Sequence, residues 1–228
     1  MARFLRRISG FFQLLFIMNS SVATFADPYQ LLLQHARSQP DAIAYSSRWR
    51  VATWRKLRNR IERSAARLYG EWGVRPGDLV AYLGCGHPDA LVLYFGLLCC
   101  GARLLPLEHE ELQAASARIL DELRVKLVLI DDDAAPPARI AAHTLSALIG
   151  SPTQHPALTA PPDARLPSLV RVAASAGSFE AVQTSLADEA CLAPAAEPCA
   201  VKTALFDADN FPRVLATLAG GGIVAFEA

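Results

Sequence analysis

Between Asp27 and Asp133 the chain alternates helix-length segments with short apolar runs, and the links between them are only a few residues long. That rhythm leaves few folds open. A strand, helix, strand order with connections this short returns each strand parallel to the one before, as in an α/β layer. Asp27 is placed to cap a first helix with Pro28 in its opening turn, where the missing N–H costs nothing. That helix should stop before Pro40. A short strand over 42–46 and an edge piece at Val51 and Ala52 lead to Thr53, a good N-cap. From there Trp54, Leu57, Ile61, Ala65 and Leu68 recur at helical spacing, while Arg55, Lys56, Arg58 and Arg60 face away. Val74-Arg75-Pro76-Gly77-Asp78 is a turn sequence, followed by an apolar strand over 79–83. Gly84-Cys85-Gly86 breaks that strand, Pro88 opens a helix that runs to Cys100, and Gly101 is suited to end it in a left-handed conformation. A strand over 102–107, an amphipathic helix over 112–124 and a strand over 126–130 complete the pattern, which closes on Asp131-Asp132-Asp133. The fold class is α/β, a parallel sheet flanked by helices.

Charge narrows the partners. The 22 basic residues balance the 22 acidic ones, which removes the electrostatic case for nucleic acid. The basic run at Arg55–Arg60 keeps company with Glu62 and Glu71 and reads as a solvated helix face. Cys85, Cys99, Cys100, Cys191 and Cys199 are odd in number and lack CxxC spacing. They read as reduced thiols rather than zinc ligands or a disulfide framework. No stretch reaches the ~20 apolar residues of a membrane-spanning helix. Residues 1–26 have two readings. Arg3, Arg6 and Arg7 ahead of an apolar run at 11–18 resemble a secretory signal, which would mean export. Against that, Gln13 interrupts the run, Thr24 suits a cleavage site poorly, and Met18 offers a second start. The expectation is a tail outside the fold of a cytoplasmic protein.

Beyond Asp133 the composition changes. Residues 134–167 are rich in Pro, Ala, Ser and Thr and read as a connector, with one short helix near 140–149. Residues 168–228 hold a strand over 169–173, the small-residue run Ala174-Ser175-Ala176-Gly177-Ser178, a weak helix near 210–218, and Gly220-Gly221-Gly222 ahead of an apolar strand over 223–226.

Four pieces of the first region stand in an order that resembles the opening of the adenylate-forming superfamily, the acyl- and aryl-CoA synthetases and peptide-synthetase adenylation domains. His35-Ala36-Arg37-Ser38-Gln39-Pro40-Asp41-Ala42-Ile43-Ala44 is similar to its Pro-Asp-x-x-Ala opening. Ala52-Thr53-Trp54-Arg55-Lys56-Leu57 stands where that family starts a helix with Thr-Tyr-x-x-Leu. Gly73 to Ala81 follows its Gly-Val-x-x-Gly-Asp-x-Val-Ala, and Gly96 to Glu108 its Gly-Ala turn, strand and Pro-Leu. The resemblance implies the N-terminal portion of that fold. It also implies an inherited chemistry in which ATP, with Mg²⁺, activates a carboxylic acid as an acyl-adenylate. The matched pieces are turn and packing residues, not reacting groups.

The family's phosphate loop reads roughly Thr-Ser-Gly-Thr-Thr-Gly-x-Pro-Lys, where glycines and small hydroxylated residues let the backbone approach phosphate. At that place stands Ala174 to Val182, of which Ser175, Gly177 and Ser178 are the remnants. Ala176 replaces the first glycine, Phe179 adds bulk, no lysine follows, and Glu180 is negative. The family's ribose-gripping Tyr-x-x-Gly-Asp motif and its catalytic lysine have no counterpart in the 228 residues. Elsewhere, Asp131-Asp132-Asp133 reads as a polar strand exit or a Mg²⁺ site. His87 reads as a helix cap, His109 beside Glu108, Glu110 and Glu111 as an exposed acidic turn, and Cys99-Cys100 as core. No catalytic residue and no metal ligand is assigned. The expectation is a truncated or degenerate ligase-like protein, inactive alone. The alternatives are one half of a split ligase, or a non-catalytic module that binds an acyl or aryl group. Unmatched sheet and helix faces would call for a protein partner or self-association.

Overall fold

A computed structural model describes residues 27–48, 50–132, 142–150, 165–175 and 178–227. The first helix, α1 (Pro28–Ser38), is capped by Asp27, whose carboxylate accepts the Tyr29 N–H at 2.9 Å. Strands β1 (Ile43–Ser47) and β2 (Val51–Thr53) form an antiparallel pair. Thr53 then caps α2 (Trp54–Gly70), which buries Trp54, Leu57, Ile61, Ala65 and Leu68 along one stripe. Strand β3 (Leu79–Leu83) leads to α3 (Pro88–Cys100), capped by His87, whose Nδ1 accepts the Asp89 N–H at 3.1 Å. Gly101 ends α3 at φ 68°, the left-handed conformation expected of it. Strand β4 (Arg103–Leu107), helices α4 (Glu110–Ala114) and α5 (Ser116–Glu122), and strand β5 (Leu127–Ile130) follow. Next come β6 (Ala142–Thr144), α6 (Leu145–Ile149), β7 (Pro167–Ser175), β8 (Ser178–Ser185) and α7 (Leu186–Glu189). The last elements are β9 (Cys199–Val201), α8 (Asn210–Ala219) and β10 (Val224–Phe226).

The strands make two sheets. One has the order β6-β5-β3-β4-β7-β8, parallel throughout except for the antiparallel edge strand β8. The other has the order β2-β1-β10-β9, with β1, β10 and β9 parallel and β2 antiparallel. The first apolar strand in the chain therefore belongs to a different sheet from β3, β4 and β5. It pairs Tyr45 with Val224.

Helix α3 explains the arrangement. Every one of its 13 residues except Cys99 is buried, so it needs cover on all sides. One hydrophobic core wraps it. That core takes Val80 and Tyr82 of β3, Leu104 of β4, Leu129 of β5, Tyr45 of β1 and Val224 of β10, together with the stripe of α2. A second core lies on the opposite face of the larger sheet, where Ala81, Leu105 and Val128 meet Leu112, Ile119 and Leu120 of α4 and α5. Successive strand residues face opposite cores, which is why these strands read as unbroken apolar runs. Asp89, 1% exposed, binds the smaller sheet to α3. Its carboxylate meets Arg50 Nη1 at 3.0 Å and accepts the Tyr45 hydroxyl at 3.4 Å, and Arg60 donates to that hydroxyl in turn.

Three expectations change. The helix foreseen over 112–124 is two helices, turned at Ala115 (φ −90°, ψ 2°) so that Leu112 and Ile119 both reach the second core. The helix foreseen over 140–149 begins only at Leu145, because 142–144 are drawn into a strand beside β5. Residues 140 and 141 lie outside the described set. The strand foreseen over 169–173 is longer and is half of a hairpin with β8.

Phe211 of α8 joins the last helix to α3: its ring meets Tyr94 edge-on at 4.9 Å and Phe206 at 5.0 Å. Phe211→Ala is expected to cost roughly 3–5 kcal/mol, read as a lowered midpoint in urea denaturation.

Candidate functional site

The carboxyl ends of β3, β4, β5 and β7 come together at one edge of the larger sheet, where open α/β sheets bind ligands. The turn after β3 is fastened from β5. Asp131 accepts the Tyr82 hydroxyl at 2.7 Å and the Cys85 N–H at 2.9 Å, and the same hydroxyl accepts the His87 N–H at 3.2 Å. A Cβ on Gly84 would overlap the Tyr82 hydroxyl and stand 2.6 Å from Asp131 Oδ2, so a larger residue here would force one of these side chains to move. Asp132 accepts the Ser146 N–H at 3.0 Å at the start of α6. Asp133 lies outside the described residues. Two of the three aspartates read as a strand exit or Mg²⁺ site are thus engaged in fastening backbone. Among the described residues no cluster of three or more His, Cys, Asp or Glu side chains is placed to hold a metal ion.

A second group lies at the end of β4 and along the neighbouring stretch of β7. Glu108 accepts two backbone N–H groups from the segment before α8, Leu205 at 3.1 Å and Phe206 at 2.8 Å. Burial pushes its carboxyl up to about 7, against the two N–H groups that favour the ion, with Asp207 raising it further. His109 Nε2 meets Asp207 Oδ1 at 2.8 Å. Arg171 donates through Nε to the Phe206 carbonyl at 2.7 Å and grips Glu189 with both terminal nitrogens at 2.5 and 2.8 Å. Glu189 also accepts the Thr184 hydroxyl at 2.5 Å. The cleft between Pro106, Glu108, Leu112, Arg171, Val172 and Phe206 has a volume of about 70 Å³. Pockets that take small organic ligands span roughly 300–1,000 Å³.

The small-residue run lies on the β7–β8 hairpin. Ser175 and Ser178 are directly paired across it, leaving Ala176 and Gly177 as the connection. Gly177 lies outside the described residues. Phe179 packs on the second core, with the Arg118 guanidinium 5.7 Å from its ring centre, and Glu180 is exposed. Of the remaining sequence candidates, His87 caps α3 and His109, 56% exposed, pairs with an aspartate 98 residues on rather than with its neighbours. Burial raises the thiols of Cys99 and Cys100 to about 11 and about 12, so neither is a thiolate near neutrality. The Glu108 and Arg171 interactions carry no sequence signal beyond the charge of Arg171 within the apolar run Leu169-Val170-Arg171-Val172.

Two packed sheets around a buried helix, with closely spaced loops at the parallel strands' carboxyl ends, define the scaffold class of adenylate-forming proteins. The chain belongs to the AMP-binding enzyme family, which matches residues 32–197. It is 33% identical to phosphinothricin tripeptide synthetase PhsC of Streptomyces viridochromogenes over 165 residues, 64% of this chain and 14% of that protein. It is 40% identical to feruloyl-CoA synthase of an Amycolatopsis species over 75 residues, 33% of this chain and 15% of the relative. In three dimensions it is similar to O-succinylbenzoate coenzyme A synthetase (MenE) of Bacillus subtilis in complex with AMP. The TM-score is 0.75 at 15% identity, covering 86% of this chain and 55% of that one. That likeness concerns the fold alone. The chain spans about one seventh of the length of the two curated relatives. No helix among the described residues is long and apolar enough to cross a membrane.

Two substitutions test the fastenings. Gly84→Ala is expected to cost about 1–3 kcal/mol by overpacking against Tyr82 and Asp131, seen in chemical denaturation. Arg171→Met leaves Glu189, 5% exposed, without its cation. Removing one partner of a buried pair costs roughly 3–5 kcal/mol, and the part-exposed arginine places this case near the lower value. Adding Glu189→Leu to Arg171→Met should recover at least half of that loss.

Proposed function

We propose that these residues form the structural portion of an adenylate-forming domain and do not by themselves join ATP to a carboxylic acid. The observation that carries this reading is the direct pairing of Ser175 with Ser178. A phosphate cradle needs successive N–H groups converging on one anion. In extended strands they point alternately to opposite sides, and β7 and β8 stay extended up to a connection of two residues. Ser175 and Ser178 therefore stand in paired strands, while Gly177 lies outside the described residues. No lysine lies between Ala174 and Val182, and the negative Glu180 is two residues past Ser178. The group for which the family is named would come with ATP and Mg²⁺, and the residues at this hairpin do not fit its phosphates.

Acid activation as acyl-adenylate, the chemistry common to ligases of this family, is accordingly assigned to groups other than those of the hairpin. The 70 Å³ cleft beside Glu108 and Arg171 is itself too small for an acyl or aryl group. Radiolabelled pyrophosphate exchange with panels of fatty, aromatic and amino acids tests the proposal. The expected outcome is no exchange above the protein-free control, and no shift in melting temperature with millimolar ATP and Mg²⁺. Exchange that requires both the protein and one acid of the panel would overturn it.

A further inference from the structure

The buried carboxylate of Asp89 gathers more positive charge than it neutralises. Tyr45 of β1 reaches it with its hydroxyl, so the carboxyl end of β1 adjoins the first turn of α3, which follows the exit of β3. The smaller and the larger sheet thus each bring the carboxyl end of a strand to this place, the side on which parallel sheets take ligands. Arg50 lies just past β1 and Arg60 lies in α2, and both reach the one carboxylate, at 3.0 and 3.7 Å. We propose that Arg50 and Arg60 form a binding site for a single phosphate group on the solvent side of Asp89.

Each guanidinium is held from behind and left open in front. The Arg50 backbone is fixed by Ser47, whose hydroxyl accepts the Arg50 N–H and meets the Arg50 carbonyl, both at 3.2 Å. Arg60 donates through Nη1 to the Tyr45 hydroxyl. Apart from Asp89 and Tyr45, neither arginine side chain has a hydrogen-bond or ion-pair partner among the described residues. A guanidinium carries five N–H donors, so most of these are unused. The Asp89 side chain is 2% exposed, while those of Arg50 and Arg60 are 34% and 17% exposed, and none of their nitrogens is sealed from water without a partner. The acid is therefore behind, and the unused donors face solvent already held in place.

Charge points the same way. Arg55 and Arg58 pair with Asp41 and Glu62 and belong to the solvated face of α2. Lys56 and Arg63, one turn to either side of Arg60 on the same flank, have no carboxylate within ion-pair distance among the described residues. Arg50, Lys56, Arg60 and Arg63 thus share the single carboxylate of Asp89. Two guanidinium groups that approach one point from different elements suit a tetrahedral anion, which offers oxygens in several directions, better than a planar carboxylate that one fork can grip. Their convergence also fits one phosphate group rather than a row of them. Nucleotide complexed with Mg²⁺ is outside the proposal, since the metal already occupies oxygens that the arginines need. The site is independent of the reading of the β7–β8 hairpin.

Phosphorus NMR tests it, with the intact chain added to inorganic phosphate or to glycerol phosphate at pH 8 and at an ionic strength held constant with chloride. Saturable line broadening that sulfate displaces is expected for at least one of the two, and the tighter of them identifies the source as the free ion or an organic phosphate. Arg50→Lys and Arg60→Lys keep a positive charge beside Asp89 but lose the fork. Each is expected to weaken binding roughly tenfold or more, the worth of one hydrogen bond to a charged group. Lys56→Gln, at an exposed position, should weaken it only about twofold to fivefold. Absence of saturable broadening with both ligands overturns the site. So does broadening that is unchanged in both Arg50→Lys and Arg60→Lys, since that places the phosphate elsewhere on the chain.

Discussion

A helix that is apolar on every side cannot lie on the surface of a sheet; it has to be enclosed. Helix α3 imposes that condition here. With Leu91, Leu93, Phe95 and Leu97 all fully buried, each large side chain contributes about 1.5–3 kcal/mol by leaving water, provided that both flanks are covered. The larger sheet covers one flank and α2 and α6 another. The smaller sheet, built from strands near both ends of the described chain, closes the remainder. The Asp89 contacts lie at this junction. A carboxylate sealed beside α3 requires cations, and Arg50 and Arg60 bring the β1–β2 region and α2 to it.

The same economy of polar groups shapes the edge where a ligand would sit. Asp131 and Glu108 stand at strand exits, the positions from which α/β proteins commonly address a substrate, and Arg171 lies within β7 beside them. Here each is satisfied by the protein: Asp131 by a phenol and an amide, Glu108 by two amides, Arg171 by a carbonyl and a carboxylate. A network completed internally makes a rigid joint, and rigidity at these exits is consistent with a scaffold role inside a family whose chemistry needs open, receptive groups. Glu108 is the exception in kind, since its bonds favour the ion while its burial favours the acid.

Much of the layout was legible from residue pattern. The caps at Asp27, Thr53 and His87, the left-handed stop at Gly101, and the apolar runs of β3, β4 and β5 are local features, decided by the residues within one turn or strand. The family resemblance rested on the same features, which is why it reached the fold and stopped short of a site. What pattern missed was short or distant. Strand β6 has three residues and no periodicity of its own; it exists because β5 offers an edge. Pattern also left out β8, an antiparallel edge strand that pairs with β7.

The sequence by itself determined that this is an α/β protein, where its main helices start, which strands are buried on both faces, and to which family its opening belongs. These follow from propensity, capping and periodicity, whose physical range is a few residues. Only the tertiary structure decided that the strands divide into two sheets, that Tyr45 pairs beside Val224, and that Glu108 holds the Leu205 and Phe206 amides. Those contacts join residues about a hundred or more positions apart. They are selected by the need to enclose α3 and to satisfy every buried charge, a requirement that exists only once the chain has closed upon itself.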